Sequence, residues 1–213
     1  GSELYKGRLT VTITPADAVT AGAQWSIDDG ANWNNSGDYF NFLDAGTYTV
    51  TFRDGIAGYL PPADIQVDVV DGETDSVAGN YFSVLTVNPD GSADFTTIQA
   101  AINAANPGDT ILVSPGTYNE SITIYQRDGL IIQSTGGAAE TIINSANNVI
   151  TPWVVRISSD NVTFDGFTLR HYHDFNNEYM IVRIGYRDGI YKDADGNVVK
   201  NCIIQGNLNQ PGV

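Results

Sequence analysis

The stretch His171-Tyr172-His173-Asp174-Phe175-Asn176-Asn177-Glu178-Tyr179 holds both histidines of the chain and mixes metal-ligating side chains with aromatic rings. Imidazoles two positions apart share a face of an extended strand, so His171 and His173 with Asp174 or Glu178 have the makings of a mixed nitrogen and oxygen metal site. Tyr172, Phe175 and Tyr179 offer instead the flat apolar rings that stack on pyranose sugars, set in a polar loop. An ordinary polar turn accounts for the same residues without either function. A second cluster, Asp193-Ala194-Asp195-Gly196-Asn197, alternates side-chain oxygens around a glycine in the manner of a calcium loop, which makes Asp193, Asp195 and Asn197 candidate ligands. It lacks an acid at Tyr191 and a glutamate at the closing position, and a solvated hairpin over residues 188–198 explains it too.

Elimination on a uronate polymer needs a cation or acid to neutralise the carboxylate and a base to take the C5 proton. Arg170, Arg183, Arg187, Lys192 and Lys200 share a region with Asp165, Asp174, Glu178 and Asp188, but no diagnostic spacing joins them. Charged side chains pointing outward from solvated strands would give the same composition. Earlier in the chain, Trp25, Trp33 and Tyr39 are candidate rings for a sugar platform, although Trp25 falls in strand alternation, where core packing is the commoner fate.

Twenty-five acids against ten bases leave a formal charge of −15, which opposes approach to a phosphate backbone or an anionic membrane and argues against nucleic acid as a partner. No apolar run approaches the length of a spanning helix, so no membrane insertion is expected. The single cysteine, Cys202, excludes an internal disulfide, and its neighbours Ile203 and Ile204 favour a packed thiol. With 42% apolar residues in 213, the chain has the material for one ordinary core or two small ones.

The pattern is all-β. Over residues 8–82 short alternating strands, such as Leu9-Val11-Ile13 and Tyr48-Val50-Phe52, are separated by Asp28-Asp29-Gly30, Asp44-Ala45-Gly46, Asp54-Gly55 and Asp71-Gly72, which suit tight turns. A small antiparallel β-sandwich over residues 1–83, without helix, is the expectation. After it the period changes. Ile98, Ala101, Ile102 and Ala105 fall on one helical face that Pro107-Gly108 ends, giving one short amphipathic helix. Beyond come apolar runs too short for helices, with starts near 111, 130, 154 and 180, separated by 19, 24 and 26 residues. Coils of that length predict a parallel β-helix over residues 84–213, with the helix covering its first open end.

Two resemblances agree with this division. The segments Gly7-Arg8-Leu9-Thr10-Val11-Thr12-Ile13-Thr14-Pro15, Ala21-Gly22-Ala23-Gln24-Trp25, Asn35-Ser36-Gly37 and Ala45-Gly46-Thr47-Tyr48-Thr49-Val50 resemble the Ig-like or PEGA-like modules of bacterial exported proteins. That resemblance implies an extracellular or cell-surface setting and a spacer or binding role. The run from Asn88-Pro89-Asp90-Gly91 to Phe95-Thr96-Thr97-Ile98-Gln99-Ala100-Ala101-Ile102, then Pro107-Gly108-Asp109-Thr110-Ile111 and Pro115-Gly116-Thr117-Tyr118-Asn119-Glu120, resembles the opening of the pectin-lyase-like right-handed β-helix superfamily. Residues 160–169 and 199–207 resemble its generic coils. The same opening serves lyases, hydrolases, esterases and non-catalytic adhesins.

Within that superfamily the opening is most similar to pectin methylesterases, whose pattern implies two catalytic aspartates supported by glutamine amides. Tyr179-Met180-Ile181-Val182-Arg183 stands where a Gln-led strand belongs, and Gly206-Asn207-Leu208-Asn209-Gln210 where Gln-Asp-Thr belongs, so the resemblance argues against esterase activity of this polypeptide. The residues after Gln205 carry no amphipathic cap, from which an excised fragment is expected, with homotypic stacking at that β-helix end or a tail folded back as a plug as the alternatives. The expectation is a secreted or surface β-helix segment that binds or displays toward polysaccharide without a complete catalytic site. The rivals are a lyase or hydrolase on acidic polysaccharide with its centre mostly downstream, and a self-assembling structural protein. The carbohydrate candidates are His171, Tyr172, His173, Asp174, Phe175, Glu178, Tyr179 and Trp33. No cofactor is required, with calcium the one candidate ion.

Overall fold

The computed structural model describes residues 6–145, 153–171, 180–187, 190–191 and 194–205. The chain divides into two compact units, Gly1–Ser83 and Val84–Val213.

In the first unit the strands are β1 (Gly7–Thr14), β2 (Trp25–Ser26), β3 (Tyr39–Leu43), β4 (Gly46–Phe52), β5 (Tyr59–Leu60), β6 (Ile65–Val69) and β7 (Thr74–Asn80), with a one-turn helix α1 (Ala16–Thr20) after β1. They form two three-stranded sheets, β3-β1-β7 and β2-β4-β6, while β5 pairs with Phe82 and Ser83. The alternation of β1 buries Leu9, Val11 and Ile13, which share one core with Trp25, Val50, Phe52, Val69 and Val77. Two features correct the antiparallel, helix-free expectation. β1 and β7 run parallel from Arg8↔Thr74 to Thr14↔Asn80. After β3 pairs with β1 the chain passes through β4 and β6 of the other sheet before β7 returns to the opposite edge of β1, so that return is a crossover rather than a hairpin. Helix α1 buries Ala18 in that core, a contact too short to show as a periodic pattern.

The second unit opens with residues 84–87 of β8 (Phe82–Val87) and helix α2 (Ile98–Ala104). Strands then follow in triplets: β9 (Thr110–Val113), β10 (Gly116–Asn119) and β11 (Ile122–Tyr125); β12 (Ile131–Ser134), β13 (Thr141–Asn144) and β14 (Trp153–Ser158); β15 (Thr163–Asp165), β16 (Thr168–Arg170) and β17 (Met180–Ile184). After a small hairpin of β18 (Tyr186–Arg187) and β19 (Ile190–Tyr191) come β20 (Val198–Lys200) and β21 (Ile203–Gln205). Each member of a triplet joins a different sheet, in the orders β8-β9-β12-β15-β20, β10-β13-β16-β21 and β11-β14-β17, and every pairing between coils is parallel. The chain therefore winds as a parallel β-helix. Its interior is built from stacked columns, among them Leu85, Ile111, Ile132, Phe164 and Val199, and Tyr118, Ile143 and Leu169.

The periodicity expected from sequence needs correction. The runs near 111 and 130 do share a sheet, but it continues through β15 and β20, whereas the runs near 154 and 180 are β14 and β17 of another sheet. Three short strands per coil, joined by turns of unequal length, make similar apolar runs from different faces look like one repeat.

Helix α2 is tied to the first coil through its buried face and both ends. Ile98, Ala101, Ile102 and Ala105 are buried in the β-helix core. Glu120 accepts the N–H groups of Ile98 and Gln99 at 2.8 and 2.9 Å, where the helix has no internal acceptors and its dipole favours a negative charge. Arg127 donates to the carbonyls of Ile102 and Asn103 at the other end, at 3.1 and 2.9 Å. Between them the Gln99 amide accepts from Thr123 N and donates to Thr123 O, occupying backbone groups on the outer edge of β11 that no strand pairs.

Burial pushes the Glu120 carboxyl above its ordinary value of 4.5, although its two N–H donors pull the other way. The fold thus favours protonated Glu120. Its contribution to stability is fully present below pH 4.5 and is lost as pH rises through the raised value. Thermal unfolding of wild type between about pH 4 and about pH 8 should show that decline in the second unit, and Glu120→Gln should flatten it.

The turns that close each coil also stack. Asp128 Oδ1 accepts the backbone N–H of Asp160 at 2.9 Å, and Asp160 Oδ1 accepts that of Asp195 at 3.1 Å, so one aspartate per coil holds the turn above it.

Candidate functional site: a cationic and aromatic face of the β-helix

Strand β14 places an arginine inside an apolar run. Val154, Val155 and Ile157 are buried, while Arg156 is only half-buried, beside the ring of Trp153, with its guanidinium carbon 4.7 Å from the ring centroid. The parallel register sets Arg156 directly beside Arg183 of β17, one coil on, and Arg183 also lies within cation–π range of Trp153, at 5.8 Å. Thr123 continues the column on β11.

This pairing is electrostatically uphill. Adjacent strands lie about 4.8 Å apart, so like charges on neighbouring positions repel. A shared indole offsets part of that, at about 0.5–1 kcal/mol per cation–π contact. In a chain with ten Lys and Arg against twenty-five Asp and Glu, two guanidinium groups on one aromatic ring are a local concentration of positive charge. The Nε of Arg156 is buried and has no hydrogen-bond partner among the described residues. The arrangement can pair guanidinium N–H groups with carboxylate oxygens while a sugar ring lies against indole.

On the neighbouring sheet a polar column runs Asn119, Asn144, Arg170 and Gln205. Asn144 donates to Asn119 at 3.2 Å, and Arg170 Nε donates to Gln205 Oε1 at 2.5 Å. Immediately after β13 and β16, Ser145 and His171 are buried and joined by a 2.8 Å hydrogen bond through His171 Nδ1.

His171 is therefore packed into the coil, held by Ser145 rather than displayed. Tyr172, His173, Asp174, Phe175, Glu178 and Tyr179 lie outside the described residues, as does Asp193. Asp195 is exposed and belongs to the stacked turns. Asn197 braces a turn, accepting from Val162 N at 2.8 Å and donating to Ala194 O at 2.9 Å. Among the described residues no group of three or more His, Cys, Asp or Glu is placed to hold a metal. Of the expected lyase parts, Lys200 pairs with Asp165 at 3.6 Å and Asn201 donates to Asp165 at 2.8 Å, which makes them a pair rather than a free acid and base.

In the first unit Trp25 is fully buried, its Nε1 donating to Asn35 O at 2.8 Å, and Tyr39 lies under Arg8 at 3.9 Å on the other sheet. Trp25 is thus closed to a sugar, and Trp33 lies beside Arg53. Sequence reasoning missed Trp153 and Arg156. The available signal was an arginine inside the apolar run Trp153-Val154-Val155-Arg156-Ile157.

No known family profile matches the chain. Among curated proteins it is 26% identical over 147 residues to pectinesterase 2 of Arabidopsis thaliana, covering 58% of this chain and 25% of that protein. It is 25% identical over 179 residues to pectinesterase 1 of Citrus sinensis, covering 73% and 29%. A cell surface glycoprotein of Methanothermus fervidus is 28% identical over 139 residues, covering 62% and 20%. The chain spans less than half the length of the curated relatives it matches. Among solved structures, pectin methylesterase from carrot gives a TM-score of 0.46 at 20% identity over 55% of this chain and 38% of that one. That from Aspergillus niger gives 0.43 at 20% identity, over 58% and 50%. The expectation that set pectin methylesterase aside is not supported by these matches: pectinesterases are among the proteins the chain resembles.

Proposed function

We propose that the second unit is part of a pectin-lyase-like β-helix protein of the cell exterior that engages acidic polysaccharide of the pectin class along the Trp153, Arg156 and Arg183 face. The observation that carries this reading is the pair of guanidinium groups on adjacent coils sharing one indole. A polyuronate carries carboxylates that guanidinium N–H groups bind and pyranose rings that lie flat against an indole. The names of the pectinesterase relatives and of the cell surface glycoprotein support the same polymer class and setting.

Affinity electrophoresis in gels containing polygalacturonate tests it. Migration of the chain should be retarded, the retardation should weaken with salt, and it should fade when highly methyl-esterified pectin replaces the free acid. Unretarded migration in both gels would defeat the reading. Ester hydrolysis is the second reading, favoured by the same relatives, and it concerns the whole protein. Release of methanol from methyl-esterified pectin by this chain would establish it, and the binding face would then be the substrate subsite of an esterase.

A further inference from the structure

We propose that the first unit carries its own glycan site, separate from the cationic face of the β-helix and suited to an uncharged sugar chain, formed by Trp33, Arg53, Gln24 and Asn35. Three planar polar groups stand in a hydrogen-bonded row. Arg53 Nη1 donates to Gln24 Oε1, and Gln24 Nε2 donates to Asn35 Oδ1 at 3.2 Å. The half-buried Trp33 ring lies beside the Arg53 guanidinium, whose central carbon is 5.9 Å from the ring centroid. Gln24 uses its oxygen and one N–H on its two neighbours, Arg53 and Asn35 use one edge each, and N–H groups remain for a ligand: one on Gln24, two on Asn35, and the remaining fork of Arg53. Vicinal sugar hydroxyls match such flat donor and acceptor edges, and the C–H face of a pyranose matches an indole.

The row is held from beneath. Arg53 N donates to Gln24 O at 2.9 Å, and the buried Tyr81 hydroxyl reaches Arg53 O at 2.8 Å and Gln24 O at 3.4 Å. The loop that carries Trp33 is equally fixed. Ser26 Oγ donates to Asp28 Oδ1 at 2.5 Å and accepts the Asp28 and Gly30 N–H groups, and Asp28 accepts from Asn32 N and Nδ2 at 2.9 and 2.7 Å. The Ser26 and Asn32 donors bring the Asp28 carboxyl down to about 2. Gly30, at φ +81°, lies so close to the indole that a Cβ there would sit 2.8 Å from Trp33 Cζ2. Trp25 and Asn34 exchange backbone hydrogen bonds on either side of this loop, at 3.0 and 2.8 Å. Such rigidity lets planar groups bind hydroxyls without first being ordered.

The charge of the surroundings selects the ligand. Residues 1–83 hold twelve acids and three bases, and Asp54 follows Arg53 directly. A polyanion is repelled there, whereas a neutral hexopyranose chain is not.

The test uses the full chain and four soluble neutral polymers, hydroxyethyl cellulose, xyloglucan, galactan and galactomannan, with polygalacturonate as comparator. Wild type should bind at least one neutral polymer, with an affinity that salt leaves unchanged and that excess polygalacturonate does not compete away. Trp33→Ala should weaken that binding about 10-fold, the scale of a lost stacking contact of about 1–1.5 kcal/mol, and Gln24→Ala several-fold. The Trp33 indole N–H resonance of wild type should shift on adding the polymer, a readout that does not depend on the variants folding. The proposal is overturned if wild type binds none of the four polymers, if Trp33→Ala binds as wild type does, if the Trp33 resonance stays fixed, or if polygalacturonate competes. Polygalacturonate retention measured alone, in the same series, reports on the β-helix face independently.

Discussion

Replacing both guanidinium groups by carboxylates, in Arg156→Glu with Arg183→Glu, is expected to weaken binding to polygalacturonate by about 100-fold or more. Each charge-assisted hydrogen bond to a carboxylate contributes about 1.5–3 kcal/mol, and about 1.4 kcal/mol is tenfold in affinity. Losing two such contacts therefore removes about 3 kcal/mol before any new repulsion is counted. Both arginines are only partly buried, and the packing beneath them is carried by the buried Val155 and Ile157 of β14 and the partly buried Val182 of β17, so the unfolding temperature should change little. Isothermal titration of the variant against wild type checks this. Equal affinities in the two proteins would mean that the acidic polymer, if bound at all, is bound elsewhere.

The largest stability effect is expected at Phe164. It is fully buried, stands in the column of Ile111, Ile132 and Val199, and stacks on Phe167 with ring centroids 4.5 Å apart. Phe164→Ala opens a cavity that coils above and below cannot close without breaking their own parallel ladders, and such truncations lose about 3–5 kcal/mol. Because the two units have separate cores, urea unfolding should show the transition of the second unit moving to lower denaturant while that of the first stays in place. A shift of both together would show that the units unfold as one.

The legible parts of the fold were those in which one side chain predicts its own environment. Ile98, Ala101, Ile102 and Ala105 mark a helix face by spacing alone, and all four are buried. Leu9, Val11 and Ile13 mark a half-buried strand in the same way. What sequence could not give is pairing at a distance. The parallel partner of β1 is β7, and nothing local distinguishes that from an antiparallel neighbour. Arg156 and Arg183 become a site only because the coil brings β14 and β17 into register, across a connection whose length no local rule sets. Asn197, with the composition of a cation ligand, also braces a turn, because a carboxamide satisfies a backbone N–H as readily as it binds a metal, and composition alone does not show the bracing.

The three tryptophans give the most direct test, since each contributes one indole N–H resonance, assignable by single Trp→Phe variants. On titration with oligogalacturonate the Trp153 signal should shift progressively and saturably, while that of Trp25, closed in the first core with Asn35 O, stays fixed. A Trp153 resonance that does not move at saturating oligogalacturonate would contradict the assignment of this face to acidic polysaccharide.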